Sequence, residues 1–239
     1  VHFGDTASGG NLDKIALSCS ADTLFAALCN EAAALDSIIL EKLIAGVREQ
    51  KIVFSSLFPY YRTENEDLYL YLPKPLLQME AKKQNSKSFA EMKQLATKLK
   101  KQKKTSYIRA SELQAWLKNC QEGQLTDYEV PEFAAPFVAG RVNLREDKPL
   151  PYFVGSYVFD ENAGLYFICG VEDENEEDIA WINDLLKQLG MTGIGGKRSS
   201  GYGKFELVGD YCNINPDSGV YDDDVAIGEM LFNKESSIQ

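Results

Sequence analysis

The clearest fold signal in the sequence is at residues 193–205, which read Gly-Ile-Gly-Gly-Lys-Arg-Ser-Ser-Gly-Tyr-Gly-Lys-Phe. Its five glycines allow backbone N–H groups to approach a ligand closely, and its adjacent cations and hydroxyls can bind phosphate oxygens. It is not a Walker A loop, because Met191 stands where that motif needs glycine and Arg198 where it needs Ser or Thr. The pattern predicts a loop that binds a phosphate backbone, and the alternative is a glycine-rich turn that only connects two elements.

A helix is predicted before this loop and a strand after it. The acids at 174–178 suit a helix N-terminus, apolar residues recur at helical spacing up to Leu189, and Gly190 is expected to end the helix. Residues 205–208 predict a strand. A short helix over 225–232 is expected next, capped by the aspartates at 222–224.

The rest of the chain alternates between helix and strand signals. Ser20 or Asp22 can cap one helix, and Asp36 or Ser37 can open a second. A hairpin-type turn is expected to join the two strands around 160–164. The predicted strands lie at 1–3, 53–57, 68–72, 152–159 and 165–171. This order predicts an α+β, ferredoxin-like β-α-β-β-α-β domain over residues 1–208, with 209–239 as a linker and the start of a C-terminal region.

Two segments interrupt that order. Residues 76–125 predict a helical insertion, with capping boxes at Ser88 and Ser111. Within it, residues 82–118 carry 11 basic and two acidic residues, while the rest of the chain carries 14 basic and 34 acidic residues. Residues 131–151 predict an irregular loop or finger. Although a net charge of −11 argues against nucleic acid for the chain as a whole, this asymmetry predicts two faces with two kinds of partner.

The composition narrows the functional classes. About 44% of the 239 residues are hydrophobic, and no apolar run reaches the ~18 residues of a membrane span. The five cysteines form no C-x-x-C pair and His2 is the only histidine, so a Cys/His zinc site is not expected. We expect free, buried thiols in a reducing cytoplasm and no metal or cofactor.

The loop at 193–205 resembles the glycine-rich signature of the RAMP superfamily of CRISPR proteins, which follows the last helix of a ferredoxin-like domain. Its form is similar to that of subunit four of the type III-A Csm effector complex, a five-group RAMP family. Residues 2–10 with 20–31, and 69–75 with the basic helices after them, also match that family. The chain departs from the family by lacking the start of the first strand and by stopping where relatives usually continue into a second domain.

The resemblance implies a non-catalytic subunit that holds the 5′ repeat-derived tag of CRISPR RNA (crRNA). Such subunits bind the large polymerase/cyclase-like signature subunit on one side and the backbone RAMP subunit three on the other. A finger, the thumb, inserts between guide and target RNA. The expected RNA-binding residues are Lys197, Arg198, Ser199, Ser200, Gly195, Gly196 and Gly201 in the loop, Gly9, Gly10 and Asn11 near the N-terminus, and Arg141, Asn143 and Arg145 on the finger.

Two alternatives stay open at this stage. RAMP relatives that cut RNA often use a histidine, for which His2 is the one candidate, and Asp5 raises the option of metal-assisted cleavage. The chain would then be an endoribonuclease that processes crRNA or cuts target RNA. It could also be a protein-interaction module whose basic helices bind an acidic partner.

Overall fold

The structure is a computed structural model that describes residues 1–4, 11–76, 89–122, 129–144, 149–172, 176–208 and 229–232. The chain divides into two compact units. Unit one comprises Val1–Pro59 and Phe133–Gln239, and unit two comprises Tyr60–Glu132. Unit two is wider than the predicted insertion at 76–125, because it includes strands as well as helices. The predicted domain boundaries stay a prediction.

The described residues form five α-helices and twelve strands, with these bounds. The helices are α1 (Ala21–Leu35), α2 (Ser37–Arg48), α3 (Phe89–Lys104), α4 (Leu113–Gln121) and α5 (Glu176–Thr192). The strands are β1 (Phe3–Gly4), β2 (Ile15–Ala16), β3 (Ile52–Phe54), β4 (Phe58–Arg62), β5 (Leu68–Pro73), β6 (Tyr107–Arg109), β7 (Ala134–Asn143), β8 (Leu150–Phe159), β9 (Ala163–Tyr166), β10 (Cys169–Val171), β11 (Phe205–Val208) and β12 (Glu229–Phe232). No helix in the described part of the chain is long and apolar enough to cross a membrane.

The first two helices of unit one begin as their sequence predicts. The Ser20 side chain accepts a hydrogen bond from the Thr23 N–H and caps α1. Asp36 Oδ1 accepts from the Ile38 N–H at 2.9 Å and caps α2. Helix α1 packs against α5 through fully buried leucines such as Leu24 and Leu189. This packing fixes the end of α5, from which the glycine-rich loop departs.

The strands of unit one pair as separate antiparallel ladders. Strand β1 pairs with β2, β3 with β10, β7 with β8, and β12 with both β11 and β9. The chain thus has a mixed helix and sheet fold. The ferredoxin-like strand order stays a prediction.

Three expectations for unit one were wrong. Strand β8 pairs with β7 rather than with the strand after the 160–164 turn, since hairpin pairing depends on partners that turn residues do not reveal. Residues 229–232 form a strand rather than the end of a helix, and 222–228 lie outside the described residues. Gly190 lies inside α5, which runs to Thr192. A Cβ at Gly190 would meet the Phe205 carbonyl oxygen at 2.5 Å, so close packing accounts for this glycine.

The finger is a regular hairpin and not an irregular loop. Its ten-residue strands β7 and β8 stay in register from the pair Ala134–Phe159 to the pair Asn143–Leu150. Large apolar side chains on it are exposed, with Leu144 at 79% and Phe153 at 62%. The segment 145–148 lies outside the described residues, and so does the predicted site residue Arg145.

Unit two contains the strands β5 and β6, most of β4, and the helices α3 and α4. The antiparallel strands lie in the order β4-β5-β6. Ile108 packs with Trp116 and Cys120 of α4 to form a small core. The capping box predicted at Ser111 was wrong: Ser111 lies in a 3₁₀ turn, and α4 starts after Glu112 with no side-chain cap. Ser88 lies outside the described residues.

Candidate nucleic-acid interface

The glycine-rich loop, residues 193–204, leaves α5 and enters β11 through left-handed backbone conformations. Gly193, Gly195, Gly201 and Gly203 all have φ between 79° and 90°, a region that glycine occupies without steric cost. The Ile194 N–H donates to the Gly203 carbonyl at 2.9 Å and closes the loop on itself. The sequence therefore folds here into a fixed loop, not an open connector.

This loop is anchored on the first residues of the chain. The Gly196 N–H donates to the His2 carbonyl at 2.8 Å. A Cβ at Gly195 would lie 2.5 Å from the same carbonyl oxygen, and one at Gly196 would lie 2.5 Å from His2 Cδ2. These two glycines thus permit close packing within the chain.

This packing changes the role predicted for the backbone N–H groups of the glycines. The sequence-based argument was that glycine N–H groups stay open to a ligand, but the N–H of Gly196 donates to His2 and that of Gly201 to the Arg198 carbonyl. The N–H groups of Gly196 and Gly201 are therefore not open to a ligand, so the predicted phosphate contacts fall to side chains such as those of Lys197 and Arg198.

Lys197 and Arg198 are adjacent in sequence but line different clefts. Lys197 has a left-handed φ of 60°, which turns the backbone between the two side chains. Lys197 lines a cleft of about 760 Å³ at the base of the finger, here called the finger cleft. Arg198 lines a cleft of about 610 Å³ beside the start of α1, here called the helix cleft. A single loop thus presents one cation to each of two neighbouring concave surfaces.

The finger cleft combines apolar walls with a few polar groups. Lys197 Nζ lies 5.1 Å from the centre of the Tyr152 ring, within the range of a cation–π contact. The predicted residue Asn143 lines the same cleft, as does Leu12, the neighbour of Asn11. Gly9 and Gly10 lie outside the described residues.

Arg141 connects the finger to the glycine-rich loop. Its Nη2 donates to the Tyr202 hydroxyl at 3.4 Å. This hydrogen bond raises the pKa of the Arg141 guanidinium above its usual value; an arginine is charged at physiological pH in any case. Of the two finger arginines predicted to bind RNA, Arg141 is therefore placed beside the loop.

The helix cleft brings Arg198 to the N-terminus of α1. Ser18, Ser20, Thr23 and Asn30 also line it. A helix N-terminus carries a partial positive charge, and Arg198 adds a full one. Asp22 lines the cleft as well and opposes an anion there. The cleft therefore suits a hydrogen-bonding ligand whose phosphate lies on the Arg198 side.

The cysteine nearest the site is a structural thiol. Cys19 lines the helix cleft, and burial raises the pKa of its thiol to about 12. Burial also raises the pKa of the Cys169 thiol to about 12. The four cysteines in the described part of the chain are free, as expected, but only Cys120 is buried and the other three are partly exposed, contrary to the expectation of buried thiols. Cys212 lies outside the described residues.

His2 is a buried packing residue in this arrangement. It is 4% exposed, and its Nδ1 lies 2.6 Å from the Gly155 carbonyl oxygen. Because a carbonyl only accepts hydrogen bonds, Nδ1 must carry the proton. Asp5 lies outside the described residues. Within the described ranges, no group of three or more His, Cys, Asp and Glu side chains could hold a metal ion.

The structure thus brings together the loop residues 195–201, Arg141 and Asn143. Sequence reasoning missed Tyr152, Tyr202 and the polar residues that line the helix cleft. Tyr202 lies inside the quoted motif, so its ring was a signal available in the sequence. Tyr152 and Ser18 carry no local signal, because they join the site only through tertiary packing.

Comparison with known proteins identifies the relatives of this chain. No family model matches it. It is 29% identical over 207 residues to the CRISPR system protein Csm4 of Streptococcus thermophilus. That match covers 87% of this chain and 60% of that protein. It is 30% identical over 212 residues to Csm4 of Mycobacterium tuberculosis, which covers 87% of this chain and 61% of that protein. The chain is a homologue of Csm4.

This homology confirms the resemblance to subunit four that the sequence motifs predicted. The chain spans about three fifths of the length of these Csm4 relatives. Among solved structures, the crystal structure of a Csm1–Csm4 cassette in complex with cA4 aligns with a TM-score of 0.49 and 26% identity. That alignment covers 72% of this chain and 60% of the solved one.

Proposed function

We propose that this Csm4 homologue is a cytoplasmic, non-catalytic subunit of a type III-A effector complex and that it holds the 5′ repeat-derived tag of crRNA. The observation that carries the proposal is the anchored glycine-rich loop, which presents Lys197 and Arg198 to two adjacent clefts. A strand that passes over the loop can place successive phosphates near the two cations.

The finger extends this surface toward paired RNA. Arg141 and Asn143 lie on β7 near its tip, and exposed apolar side chains such as Phe153 flank them. We propose that this hairpin acts as the thumb between guide and target RNA. The large polymerase/cyclase-like subunit and backbone subunit three are the proposed protein partners, in keeping with the homology to Csm4.

The endoribonuclease alternative has less support. The imidazole of His2 is buried, and its Nδ1 is committed to the Gly155 carbonyl. A general acid or base must instead reach the proton that it transfers. The scaffold function therefore accounts better for this residue.

A salt series tests the tag site. We expect Lys197→Ala/Arg198→Ala to weaken binding of a crRNA with its native tag, and to flatten the log–log salt dependence by about 1.4, or about 0.7 per phosphate contact. Because phosphate contacts do not read bases, scrambled tags should lose affinity similarly. Arg48→Ala/Lys51→Ala is the matched control, since both side chains are exposed and more than 140 residues from the loop in sequence. An unchanged slope in the loop variant would contradict the proposal.

A further inference from the structure

Helix α3 of unit two carries lysines that the proposed tag site does not use. Lys93, Lys100 and Lys104 recur at spacings of seven and four residues, which places them on one face of the helix. All three are exposed. We call them the lysine stripe; it extends about 16 Å along the helix at 1.5 Å per residue.

The positive charge of the lysine stripe has no ion-pair partner among the described residues. None of its three lysines forms an ion pair with another residue in the described ranges. The neighbouring Lys101 lies 3.8 Å from Glu129, a carboxylate that is itself 93% exposed. Lysines in the last turn also stabilise a helix through its dipole, but Lys93 and Lys100 lie before that turn. The dipole therefore does not account for the stripe.

One face of the sheet in unit two collects aromatic and cationic side chains. Residues directly opposite each other in antiparallel strands share a face, and the pairs here are Tyr61–Tyr69, Tyr71–Arg109 and Pro73–Tyr107. The other face carries Ile108, which packs under α4. We call the first face the tyrosine face. Tyr61, Tyr69 and Tyr107 on it are partly exposed, whereas Tyr71 is buried, with 2% of its surface exposed.

Arg109 is the cation of the tyrosine face. Its guanidinium carbon lies 3.9 Å from the centre of the Tyr69 ring, and its Nη1 lies 3.4 Å from Glu112. Its Nε is buried and has no hydrogen-bond partner in the described structure. A buried donor without a partner is costly, and a phosphate oxygen that reached this group would supply the missing acceptor.

The lysine stripe and the tyrosine face meet at one end. Lys74 Nζ donates to the Gln102 carbonyl at 2.6 Å, and the Lys74 N–H donates to the Ser106 carbonyl at 2.9 Å. These bonds fix the C-terminal end of α3 to the end of β5, where Pro73 pairs with Tyr107. Lys104 and Tyr107 are three residues apart in sequence, and these bonds hold the segment that joins them in place.

We propose that the lysine stripe and the tyrosine face form a second, sequence-independent site for single-stranded nucleic acid. Sites of this kind combine cations that follow the phosphate backbone with aromatic rings on which bases stack. The flexible, strongly hydrated lysines suit contacts with a backbone rather than with particular bases. An acidic protein surface would use the same lysines, and tyrosines also occur at protein interfaces, so binding to the two polymers below decides between the two ligands.

The experiment measures binding of the 239-residue chain to labelled poly(U) and to oligo(dT) of about 16 nucleotides, the upper site size for such surfaces. We expect Lys93→Gln/Lys100→Gln to flatten the salt dependence for poly(U) by about 1.4. The control Lys51→Gln/Lys187→Gln removes the same charge and should leave it unchanged. Tyr107→Leu should weaken binding roughly tenfold through lost stacking, with thermal unfolding measured on each variant. If oligo(dT) binds as tightly as poly(U), the site accepts both DNA and RNA strands. If poly(U) binds more tightly, the ligand is RNA.

The tag site and this second site can fail separately. Because the loop's phosphate contacts do not read bases either, the proposal requires that the Lys197→Ala/Arg198→Ala variant keep measurable poly(U) binding. Adding Lys93→Gln/Lys100→Gln to that variant should flatten the remaining salt dependence by about 1.4. Poly(U) binding that is lost in the loop variant and kept in the stripe variant would overturn the second site and leave the tag site standing. The second site is also overturned if the chain binds neither polymer, because the lysines would then serve a protein partner.

Discussion

The two basic regions of this chain, the glycine-rich loop and helix α3, differ in how many charges they carry and in how firmly their backbone is held. The glycine-rich loop has few charges, but its backbone is held by His2 and closed on itself between Ile194 and Gly203. Helix α3 has many charges, yet no described element packs closely along it, and apolar side chains such as Met92 remain 51% exposed. By number of charges, the helix would be the stronger nucleic-acid site. By preorganisation of the backbone, the loop would be. Since a fixed cation binds a phosphate without paying for its own ordering, we expect the loop to bind one tag in a defined position and the helix to bind strands loosely.

The largest effect that tests this contrast is expected from Gly195→Ala. Its Cβ would collide with the His2 carbonyl, and φ is +90°, so we expect a loss of about 3 kcal/mol in the free energy of unfolding. Chemical denaturation measures this loss. Gly4→Ala is the matched control, because a Cβ there meets nothing within 4 Å. In α3, Thr97→Ala should change stability by less than about 0.5 kcal/mol. Similar losses at 195 and 97 would mean that the loop is no more rigid than the helix.

The sequence predicted the loop's chemistry better than the reason for its glycines. Its cations and hydroxyls are visible in residues 193–205, but the carbonyl that Gly195 must avoid belongs to His2, nearly the whole chain away. The starts of α1 and α2 were predictable because Ser20 and Asp36 act on backbone N–H groups two or three residues ahead. The partner of β8 and the strand at 229–232 were not, because pairing is set by distant residues. Lys197 was predicted to bind RNA, but its separation from Arg198 into another cleft follows from a backbone angle that no motif encodes.

A smaller effect is expected when the imidazole of His2 is removed, because the His2 carbonyl that holds the Gly196 N–H stays in place. His2→Ala leaves the Gly155 carbonyl without its hydrogen bond and opens a cavity, which should lower the free energy of unfolding by about 2 kcal/mol. It should weaken binding of the tag and of poly(U) at the loop, while the poly(U) binding contributed by the lysine stripe remains.

RNA cleavage by an assembled complex that contains His2→Ala should be unchanged, because His2 is committed to packing. Denaturation, binding of the two RNAs and a cleavage assay check these outcomes. Loss of cleavage with tag binding preserved would instead assign His2 a catalytic function.

The smallest effect is expected from Lys197→Gly, which should change the free energy of unfolding and the affinity for the tag in opposite directions. Lys197 holds a left-handed φ of 60°, which costs a non-glycine residue about 1–2 kcal/mol, while glycine loses about 0.5–1 kcal/mol more in chain entropy. Lys197→Gly should therefore raise the free energy of unfolding by roughly 0.5 kcal/mol and flatten the salt dependence of tag binding by about 0.7. Arg198→Gly is the control, because it removes the same charge at a residue outside the positive-φ region and should lower stability. If both variants lose stability, the backbone at 197 carries no strain, and the separation of the two cations would not depend on a special loop conformation. If Lys197→Gly gains stability and loses tag affinity, the chain keeps a strained lysine there because of what it binds.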